Sequence, residues 1–337
     1  MTMPLPLPLP LPLPLPQEPS GVPAPVLDRL GAAGYRAMIA GVRLGVFTAL
    51  ETGPLSVDEL ATTIDGDPAG VRSLVNVLLT FGYLRHDDDG ITTAATPGPV
   101  DAELFWHEVL FEHWADIEDT IRTGTPRRGF YTWLSERPAS GARLRRMLAG
   151  AAADLADDIA AALPPAATVL DIGGGHGDHS VELCRRRPDV RVTVLDLPET
   201  VTALREDAPS DRMTARAGDY LTDDLGSGHD LVLLFNVLHG HRPEECRELF
   251  RRAAKSLSPT GSIAILDHDR EPPSGLGPAA AGFLGMFDLT LWQGHGGGVH
   301  RYADLAAWLG EAGLTETRVV PLAASPLEKL LIAGRPS

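Results

Sequence analysis

From Pro164-Pro165 onward, short apolar runs alternate with polar helical stretches, and this alternation constrains the fold of the 337-residue chain more than any other feature. The runs are rich in β-branched residues and leucine, and they cover residues 169–170, 192–195, 231–234 and 263–266. Strands that alternate with helices form right-handed βαβ units. The pattern therefore predicts an α/β fold with a doubly wound, Rossmann-like sheet over residues 164–337, in which ligands bind at the carboxyl ends of the strands.

The first of these runs leads directly into a glycine-rich turn. The turn has the pattern D-x-G-x-G-x-G, which begins at Asp171 and includes Gly173 and Gly175. Glycines let the backbone approach a ligand closely, and the helix that follows presents free N–H groups and a positive dipole end. A dinucleotide fingerprint would need a glycine at Asp178 and would not begin with a carboxylate. The turn therefore points away from a dinucleotide.

Polar side chains also follow the next strands. Asp196 ends the second run, 21 residues after Gly175, where a carboxylate can accept both hydroxyls of a ribose. Asp219-Tyr220 lies in a tight turn after the third strand, near the expected adenine ring, and Asn236 ends the fourth strand. Each residue alone fits an ordinary turn or cap. Together, in this order, they predict a site for a nucleoside cofactor.

Residues 23–99 are predicted to form a compact helical domain that ends in a small β-hairpin. Ser56 to Glu59 form a capping box, Asp67-Pro68 starts another helix, and a turn at 87–90 separates two short strands. This order resembles a winged-helix module, many of which bind DNA. Because Arg72 lies in the expected recognition helix without a basic cluster around it, we interpret the domain as a dimerisation module that forms a homodimer.

Charge and cysteine content exclude several classes of function. Lys and Arg total 29 against 45 Asp and Glu, and the net charge of −16 argues against nucleic acid and anionic membranes as partners. Cys184 and Cys246 lie outside any CxxC pattern, which fits a reducing cytoplasm. The chain lacks both the roughly 18-residue apolar stretch of a membrane span and a signal peptide. Alternating Pro and Leu over 4–16 predict that residues 1–22 form an extended arm, either a dispensable tail or a docking arm.

Four sequence runs together resemble a known enzyme family. LDIGGGHGDHS, VLDLP, AGDYL and LLFNVLH are similar to the class I S-adenosylmethionine-dependent methyltransferases, specifically the caffeate-type and antibiotic-pathway O-methyltransferases. The resemblance covers residues 26–334, because those enzymes also carry an N-terminal winged-helix dimerisation domain. It implies S-adenosyl-L-methionine as the cofactor. By position, it assigns the methionine part to Asp171, Gly173 and Gly175, the ribose to Asp196 with Leu197 beside it, the adenine to Asp219 and Tyr220, and the region beside the sulfonium to Asn236.

The reacting end of the site departs from the family pattern. In the O-methylating relatives the fourth strand is followed by a His-Asp-Trp triplet whose histidine removes the acceptor proton, and His239 falls on that histidine. The chain then continues with Gly240-His241 instead of Asp-Trp. A second departure is WQGHGGGVH at 292–300, in the loop that closes the acceptor pocket in the relatives, which brings in further histidines.

We expect the histidines of these two loops to meet over the methyl donor. Neutral imidazoles are preferred ligands of zinc and iron(II), so we predict a divalent metal held by His239, His295 and His300, with His241 in reserve. Two other interpretations stay open. The histidines could act as acids and bases without a metal, or they could have no catalytic role.

A metal would suit a carbon acid, because an ion chelated by both oxygens of an α-keto acid stabilises its enolate. The pattern then resembles the metal-dependent α-keto acid C-methyltransferases of viridogrisein-type nonribosomal-peptide pathways, and predicts methyl transfer to the β-carbon of a small α-keto acid. His241, Asp267 or a metal-bound water would remove the β-proton. The alternative is a metal-free O-methyltransferase for a phenolic or polyketide hydroxyl, with His239 as general base. A regulator with a degenerate methyltransferase domain is disfavoured by the intact Asp171 and Asp196.

Residues 100–163 are predicted to form a helical connector that contributes to the acceptor pocket. Arg127 and Arg128 could pair with a substrate carboxylate, although arginines in such a position are more often surface cations. Aromatic residues here are either plain core or pocket lining. The expected apolar lining consists of Phe130, Trp133, Phe283, Met286, Phe287 and Trp292.

Overall fold

The structure is a computed structural model that describes residues 24–207, 210–271 and 276–336. The arm expected at residues 1–22 lies outside the described residues. The described chain divides into two compact units, the first of which ends at Glu112 while the second begins at His113. Each unit has its own hydrophobic core.

The N-terminal unit consists of helices and one hairpin, as predicted. Ser56 and Glu59 each accept a hydrogen bond from the other's backbone N–H, and Asp67 accepts one from the Gly70 N–H, so both helix starts are capped. The elements are α1 (Ala24–Leu44), α2 (Val46–Ala49), α3 (Val57–Thr63), α4 (Pro68–Thr80), β1 (Leu84–Asp87), β2 (Gly90–Thr93) and α5 (Val100–Phe111).

The second unit is an α/β domain. Its helices are α6 (Ile117–Thr123), α7 (Phe130–Ser135), α8 (Pro138–Ala162), α9 (Asp178–Arg186), α10 (Pro198–Asp207), α11 (Pro243–Ser256), α12 (Gly277–His295) and α13 (Tyr302–Glu311). Its strands are β3 (Thr168–Ile172), β4 (Arg191–Asp196), β5 (Met213–Ala217), β6 (His229–Phe235), β7 (Leu257–His268), β8 (Glu316–Pro321) and β9 (Glu328–Gly334). Within the described residues they form one seven-stranded sheet in the order β5-β4-β3-β6-β7-β9-β8.

The sheet is doubly wound around β3. This strand pairs in parallel with β4 on one side and with β6 on the other, so the strand order reverses there. β5 and β7 extend the parallel part, whereas β9 runs antiparallel to both β7 and β8. The predicted Rossmann-like fold is therefore confirmed, and the carboxyl ends of β3, β4 and β6 meet at the switch point, where ligands of such sheets bind.

Strand β6 shows why the sequences of the central strands are continuous apolar runs. Leu231 and Leu233 pack into the core on one face of the sheet, while Val232 and Leu234 pack into the core on the other. All four are fully buried, and each such side chain contributes about 1.5–3 kcal/mol through burial. A strand covered by helices on both faces needs apolar residues at every position.

The helical connector predicted at residues 100–163 is shared between the two units. Helix α5 lies in the N-terminal unit, and α6 to α8 lie in the second. The role of the connector in acceptor binding stays a prediction. None of the helices in the described part of the chain is long and apolar enough to cross a membrane.

Candidate functional site

The glycine turn, residues 173–177, joins β3 to α9 at the switch point. Gly173, Gly175 and Gly177 all have positive φ, at 66°, 59° and 76°. A Cβ at Gly173 would lie 2.8 Å from a methyl group of Val237, so only glycine fits there. A Cβ at Gly175 would meet no described heavy atom within 4 Å. The turn thus leaves open space beside its own backbone, at the N-terminus of a helix.

Asp171 anchors this turn from the end of β3. The side chain is buried, and its Oδ2 accepts a 2.6 Å hydrogen bond from the Ser180 hydroxyl. Its Oδ1 is buried and has no hydrogen-bond partner among the described residues. Burial raises the pKa of Asp171 to about 6. An acceptor of this kind needs a donor, and an N–H group of a ligand would supply one.

Asp196 lies at the end of β4 and holds the glycine turn from the other side. Its Oδ2 accepts from the Gly175 N–H at 2.9 Å, and its Oδ1 accepts from the Leu197 N–H at 2.7 Å. A carboxylate has about four acceptor positions, so Asp196 retains capacity for two ligand hydroxyls. The Leu197 side chain beside it is 51% exposed, which is unusual for a leucine and leaves it free to cover a ligand.

After β5, Asp219 and Tyr220 have different partners. The Asp219 carboxylate accepts from the Leu221 N–H at 2.8 Å and so stabilises its own turn. The Tyr220 hydroxyl lies 2.7 Å from His241 Nε2, and the Tyr220 ring lies beside Gly173. Tyr220 therefore links the glycine turn to the segment that carries the predicted base.

That segment, residues 236–242, follows β6 and is called the base loop below. It begins at Asn236, which has a φ of 57° although it is not a glycine. Asparagine tolerates this left-handed conformation better than most residues, and such conformations concentrate at functional sites. The Asn236 N–H donates to the Leu266 carbonyl at 2.8 Å, which ties the start of the base loop to β7.

His239 and Asp267 form a buried pair. His239 Nδ1 donates to Asp267 Oδ1 at 2.8 Å, and the His239 backbone N–H lies 3.3 Å from Asp267 Oδ2. The peptide group of Asp267 is itself fixed by the Tyr302 hydroxyl, which donates to the Asp267 carbonyl at 2.7 Å. Nδ1 is committed to the carboxylate, so Nε2 is the nitrogen of His239 that can exchange a proton with a substrate.

The contact between His239 and Asp267 shifts the pKa of each residue toward its charged form. Burial alone would lower the pKa of His239, but the Asp267 carboxylate and its hydrogen bond raise the pKa above the ordinary value. Burial works in the opposite direction on Asp267, whose pKa is nevertheless lowered by the charge and hydrogen bond of His239. His239 is therefore set up to accept a proton and to hold it next to a carboxylate.

His241 and His300 are engaged elsewhere. His241 Nε2 accepts from Tyr220, and its Nδ1 faces Glu245 at 3.5 Å. His300 Nε2 donates to the carbonyls of Leu238 and His241, both at 3.1 Å, so His300 fastens the base loop. The sequence analysis predicts His300 as a metal ligand and His241 both as a reserve ligand and as a candidate base, whereas in the structure both rings are hydrogen-bonded to protein groups.

The closing loop, residues 295–300, packs on the base loop, so the structure brings together the two histidine-bearing segments. The Gly298 N–H donates to the His239 carbonyl at 2.9 Å. A Cβ at Gly297 would lie only 2.3 Å from the same carbonyl oxygen. The position of His239 therefore depends on a glycine in the facing loop.

Gly297→Ala is expected to displace the base loop, because the added methyl group has no room. We expect unfolding to become easier by about 1–3 kcal/mol and kcat to fall at least about tenfold, since misplacing a catalytic group by about 1 Å is costly. Chemical denaturation and steady-state kinetics measure both effects. Gly285→Ala is the matched control, because Gly285 lies exposed in α12 and a Cβ there meets no described atom within 4 Å. Equal behaviour of the two variants would contradict the close packing.

The predicted metal site is not supported. Within residues 24–207, 210–271 and 276–336, no group of three or more His, Cys, Asp or Glu side chains is placed to hold an ion. The physical reason is that the ligand nitrogens are used otherwise, since His239 Nδ1 bonds to Asp267 and His300 Nε2 bonds to two carbonyls. His295 lies near His239 without completing a ligand set.

Two polar residues around His295 are not predicted from the sequence. His113 and Gln293 are buried, and Gln293 Nε2 donates to the His113 carbonyl at 3.2 Å. The Trp114 indole N–H donates to Thr290 at 3.2 Å, so the end of α12 is held against the segment that begins the second unit. No sequence signal marks His113, because its importance arises from side chains about 180 residues away.

The predicted pocket residues are divided among three environments. Arg127 pairs with Asp119 at 3.4 Å and Arg128 with Glu136 at 2.7 Å, so both are surface cations with carboxylate partners. Trp133 is completely buried and belongs to the core. The remaining predicted rings lie on α7 and α12: Phe130 lies 5.3 Å from His295, Phe287 lies 5.5 Å from His239, Phe283 stacks on Phe287 at 5.8 Å, and Trp292 is partly buried.

Comparison with known proteins finds two family matches. The family model of the O-methyltransferase domain matches residues 152–314, and that of the O-methyltransferase dimerisation domain matches residues 30–97. The first match contains the glycine turn, the base loop and the closing loop. The second match lies within the N-terminal unit.

Individual relatives span nearly the whole chain. The chain is 28% identical over 324 residues to the tetracenomycin polyketide synthesis 8-O-methyl transferase of Streptomyces glaucescens, covering 90% of this chain and 94% of that protein. It is 28% identical over 326 residues to the mitomycin biosynthesis 6-O-methyltransferase of Streptomyces lavendulae, with coverage of 88% and 90%. The solved structure of the S-adenosylmethionine-dependent methyltransferase SibL in its apo form is similar with a TM-score of 0.73 and 27% identity, covering 95% of this chain and 100% of that one.

These matches correct the expected reaction. The prediction of methyl transfer to the β-carbon of an α-keto acid is wrong, because the similar proteins are O-methyltransferases of polyketide and antibiotic pathways and the matched domain is an O-methyltransferase domain. The C-methylation hypothesis depended on a metal held by histidines of two loops that meet over the methyl donor, whereas His239 and His300 are hydrogen-bonded to protein groups. The matches favour the alternative hypothesis, an O-methyltransferase for a phenolic or polyketide hydroxyl.

Proposed function

We propose that this chain is an S-adenosylmethionine-dependent O-methyltransferase that transfers a methyl group to a hydroxyl of a phenolic or polyketide-type small molecule. The observation that carries this proposal is the buried hydrogen bond of 2.8 Å between His239 and Asp267. A histidine held by a carboxylate and placed after the switch-point strand is suited to deprotonate a hydroxyl. The relatives named for 8-O- and 6-O-methylation support the acceptor class.

The switch-point residues fit S-adenosylmethionine. The unpartnered Oδ1 of Asp171 needs a donor, and the space beside Gly175 is open to a ligand backbone. Asp196 has acceptor capacity for the ribose hydroxyls, with Leu197 exposed beside it. The matching motif positions add Gly173, Asp219, Tyr220 and Asn236 to the residues that would hold this group.

In the proposed mechanism, His239 takes the proton of the acceptor hydroxyl at Nε2. Asp267 keeps the imidazole in the tautomer with hydrogen on Nδ1 and stabilises the imidazolium that forms. When bound, S-adenosylmethionine supplies a methyl carbon whose bond to sulfur breaks as the bond to the acceptor oxygen forms. Phe287 lies against the His239 ring and helps to keep water from this space.

We further propose that the chain works as a homodimer assembled through its N-terminal domain. The match of residues 30–97 to the O-methyltransferase dimerisation domain supports this assembly. The low density of positive charge in the same domain argues against DNA as a partner.

The proposed function is tested with cofactor that carries a ¹³C-labelled methyl group and a panel of mono- and dihydroxynaphthalenes. We expect the label to appear in the product as a methoxy carbon, which carbon NMR distinguishes from a methyl group on carbon. Labelled methyl groups attached to carbon, or turnover of small α-keto acids in preference to every phenol, would overturn the proposal.

Asp267→Asn should move the acidic limb of the pH profile of kcat/KM to lower pH. His239 acts as a base only when neutral, and the Asp267 charge raises the pKa of His239. Without that charge the imidazole loses its proton at lower pH, so the activity rises earlier as the pH is increased. The plateau should fall at least about a hundredfold, because asparagine does not stabilise the imidazolium. An acidic limb that stays in place would show that another group titrates there.

A further inference from the structure

Polar atoms without partners collect at the end of α12. His113 Nε2 and Gln293 Oε1 are buried and have no hydrogen-bond partner among the described residues, and the ring of the neighbouring His295 has only a backbone hydrogen bond to Leu291. Buried polar groups are nearly always paired in folded proteins. Two such atoms beside the His295 ring therefore point to a group that the chain itself does not supply.

The two imidazoles in this cluster are uncharged at neutral pH. Burial lowers the pKa of His295 to about 4, and the nearby His239, His113 and His241 add to the effect. Burial and the charges of Arg128 and Arg137 also lower the pKa of His113 to about 4. A neutral imidazole has one donor and one acceptor nitrogen, so it can form a hydrogen bond with a hydroxyl or a carbonyl oxygen of a ligand.

The cluster lies directly beside the proposed base. His295 begins the closing loop, whose Gly298 N–H donates to the His239 carbonyl at 2.9 Å. The His295 ring is partly buried, and Tyr131 lies edge-on to it at 5.3 Å. Tyr131 is itself 71% exposed, so a side chain in contact with His295 reaches the surface. The charge of His239 acts on His295, so an acceptor whose hydroxyl is at His239 would lie close to the His295 ring.

We infer that His295, backed by the buried His113 and Gln293, binds a second oxygen of the acceptor that is adjacent to the hydroxyl deprotonated by His239. The preferred acceptor is then an aromatic compound with two neighbouring oxygen functions, such as an ortho-diol or an ortho-hydroxy carbonyl compound. This inference rests on the proposed function and narrows its substrate class. A site that is built to pair with a polar group rejects analogues without that group, because its own buried polar atoms then remain unpaired.

The experiment compares 2,3-dihydroxynaphthalene with 2,7-dihydroxynaphthalene, which have the same size and number of hydroxyls. The full chain with S-adenosylmethionine should show a kcat/KM for the adjacent diol at least about tenfold higher than for the separated diol. His295→Leu should reduce this ratio to less than about threefold, and His295→Asn should retain part of it because the amide still forms hydrogen bonds.

His229→Leu is the matched control, because His229 begins β6 at the opposite end of the strand from the site. This variant should keep the wild-type ratio. A wild-type ratio near one, or a ratio that survives His295→Leu in a protein with an unchanged melting temperature, would overturn the inference while the proposed function stands.

Binding measurements separate the two proposals. Calorimetric titration of each diol into the complex with S-adenosylhomocysteine reads the preference without turnover. A preference for the adjacent diol that depends on His295, together with no methylated product, would support the recognition site and contradict the proposed reaction. Equal binding of the two diols, or no binding of either, would overturn the recognition site.

Discussion

His239→Ala is expected to lower kcat by about 10²–10⁴-fold, the usual contribution of a positioned general base. The loss has a specific cause, because His239 is the imidazole whose Nδ1 is held by a buried carboxylate at 2.8 Å. The variant should bind S-adenosylhomocysteine within about threefold of the wild type, since the residues assigned to the cofactor lie at the ends of other strands. Single-turnover kinetics and calorimetry measure the two quantities.

The pH dependence of the activity provides a second test of His239 as the base. In the wild type the activity should rise as His239 loses its proton, whereas in His239→Ala the residual rate should follow the hydroxide concentration. His229→Ala is the matched control, because it removes an imidazole at the opposite end of β6. A loss of kcat below about fivefold with an unchanged profile would assign the base to another group.

Asp196→Ala should weaken cofactor binding at least about a hundredfold. Hydrogen bonds to a charged group contribute about 1.5–3 kcal/mol each, and each 1.4 kcal/mol changes the dissociation constant about tenfold. The carboxylate is also the acceptor for the Gly175 N–H at 2.9 Å, so its loss loosens the glycine turn. Calorimetric titration with S-adenosylhomocysteine measures the change.

Two further variants identify the cause of that change. Asp196→Asn keeps one oxygen as an acceptor and should lie between the wild type and the alanine variant. Asp157→Ala removes an exposed carboxylate that pairs with Arg186 at 2.6 Å on the protein surface, and it should bind as the wild type does. Wild-type affinity in Asp196→Ala would remove Asp196 from the cofactor site.

The sequence predicts the fold of the second unit well where burial on both faces leaves little choice of residue. The four buried runs are the central strands β3, β4, β6 and β7. Strand β5 lies at one edge of the sheet and includes Thr214 and Arg216, so its pattern is weak. Edge strands are exposed on one side and need no continuous apolar run.

In the candidate site, too, the sequence predicts some features well and others poorly. The glycine turn and Asp196 are local features, since their conformation and spacing follow from a few consecutive residues. The roles of His239 and His300 depend on partners from distant parts of the chain, Asp267 in the first case and the carbonyls of residues 238 and 241 in the second. The sequence alone does not distinguish a histidine that binds a metal from one that accepts a proton or one that stabilises a loop. The metal hypothesis failed for this reason.

The contact between Gly297 and the His239 carbonyl has a consequence for engineering the acceptor range. Because any side chain at 297 collides with the base loop, mutations there change the chemistry before they change the selectivity. Phe287 lies 5.5 Å from the His239 ring, and Phe283 stacks on Phe287 in α12. Libraries that diversify these two rings and keep residue 297 fixed should yield altered acceptors with a larger fraction of active clones.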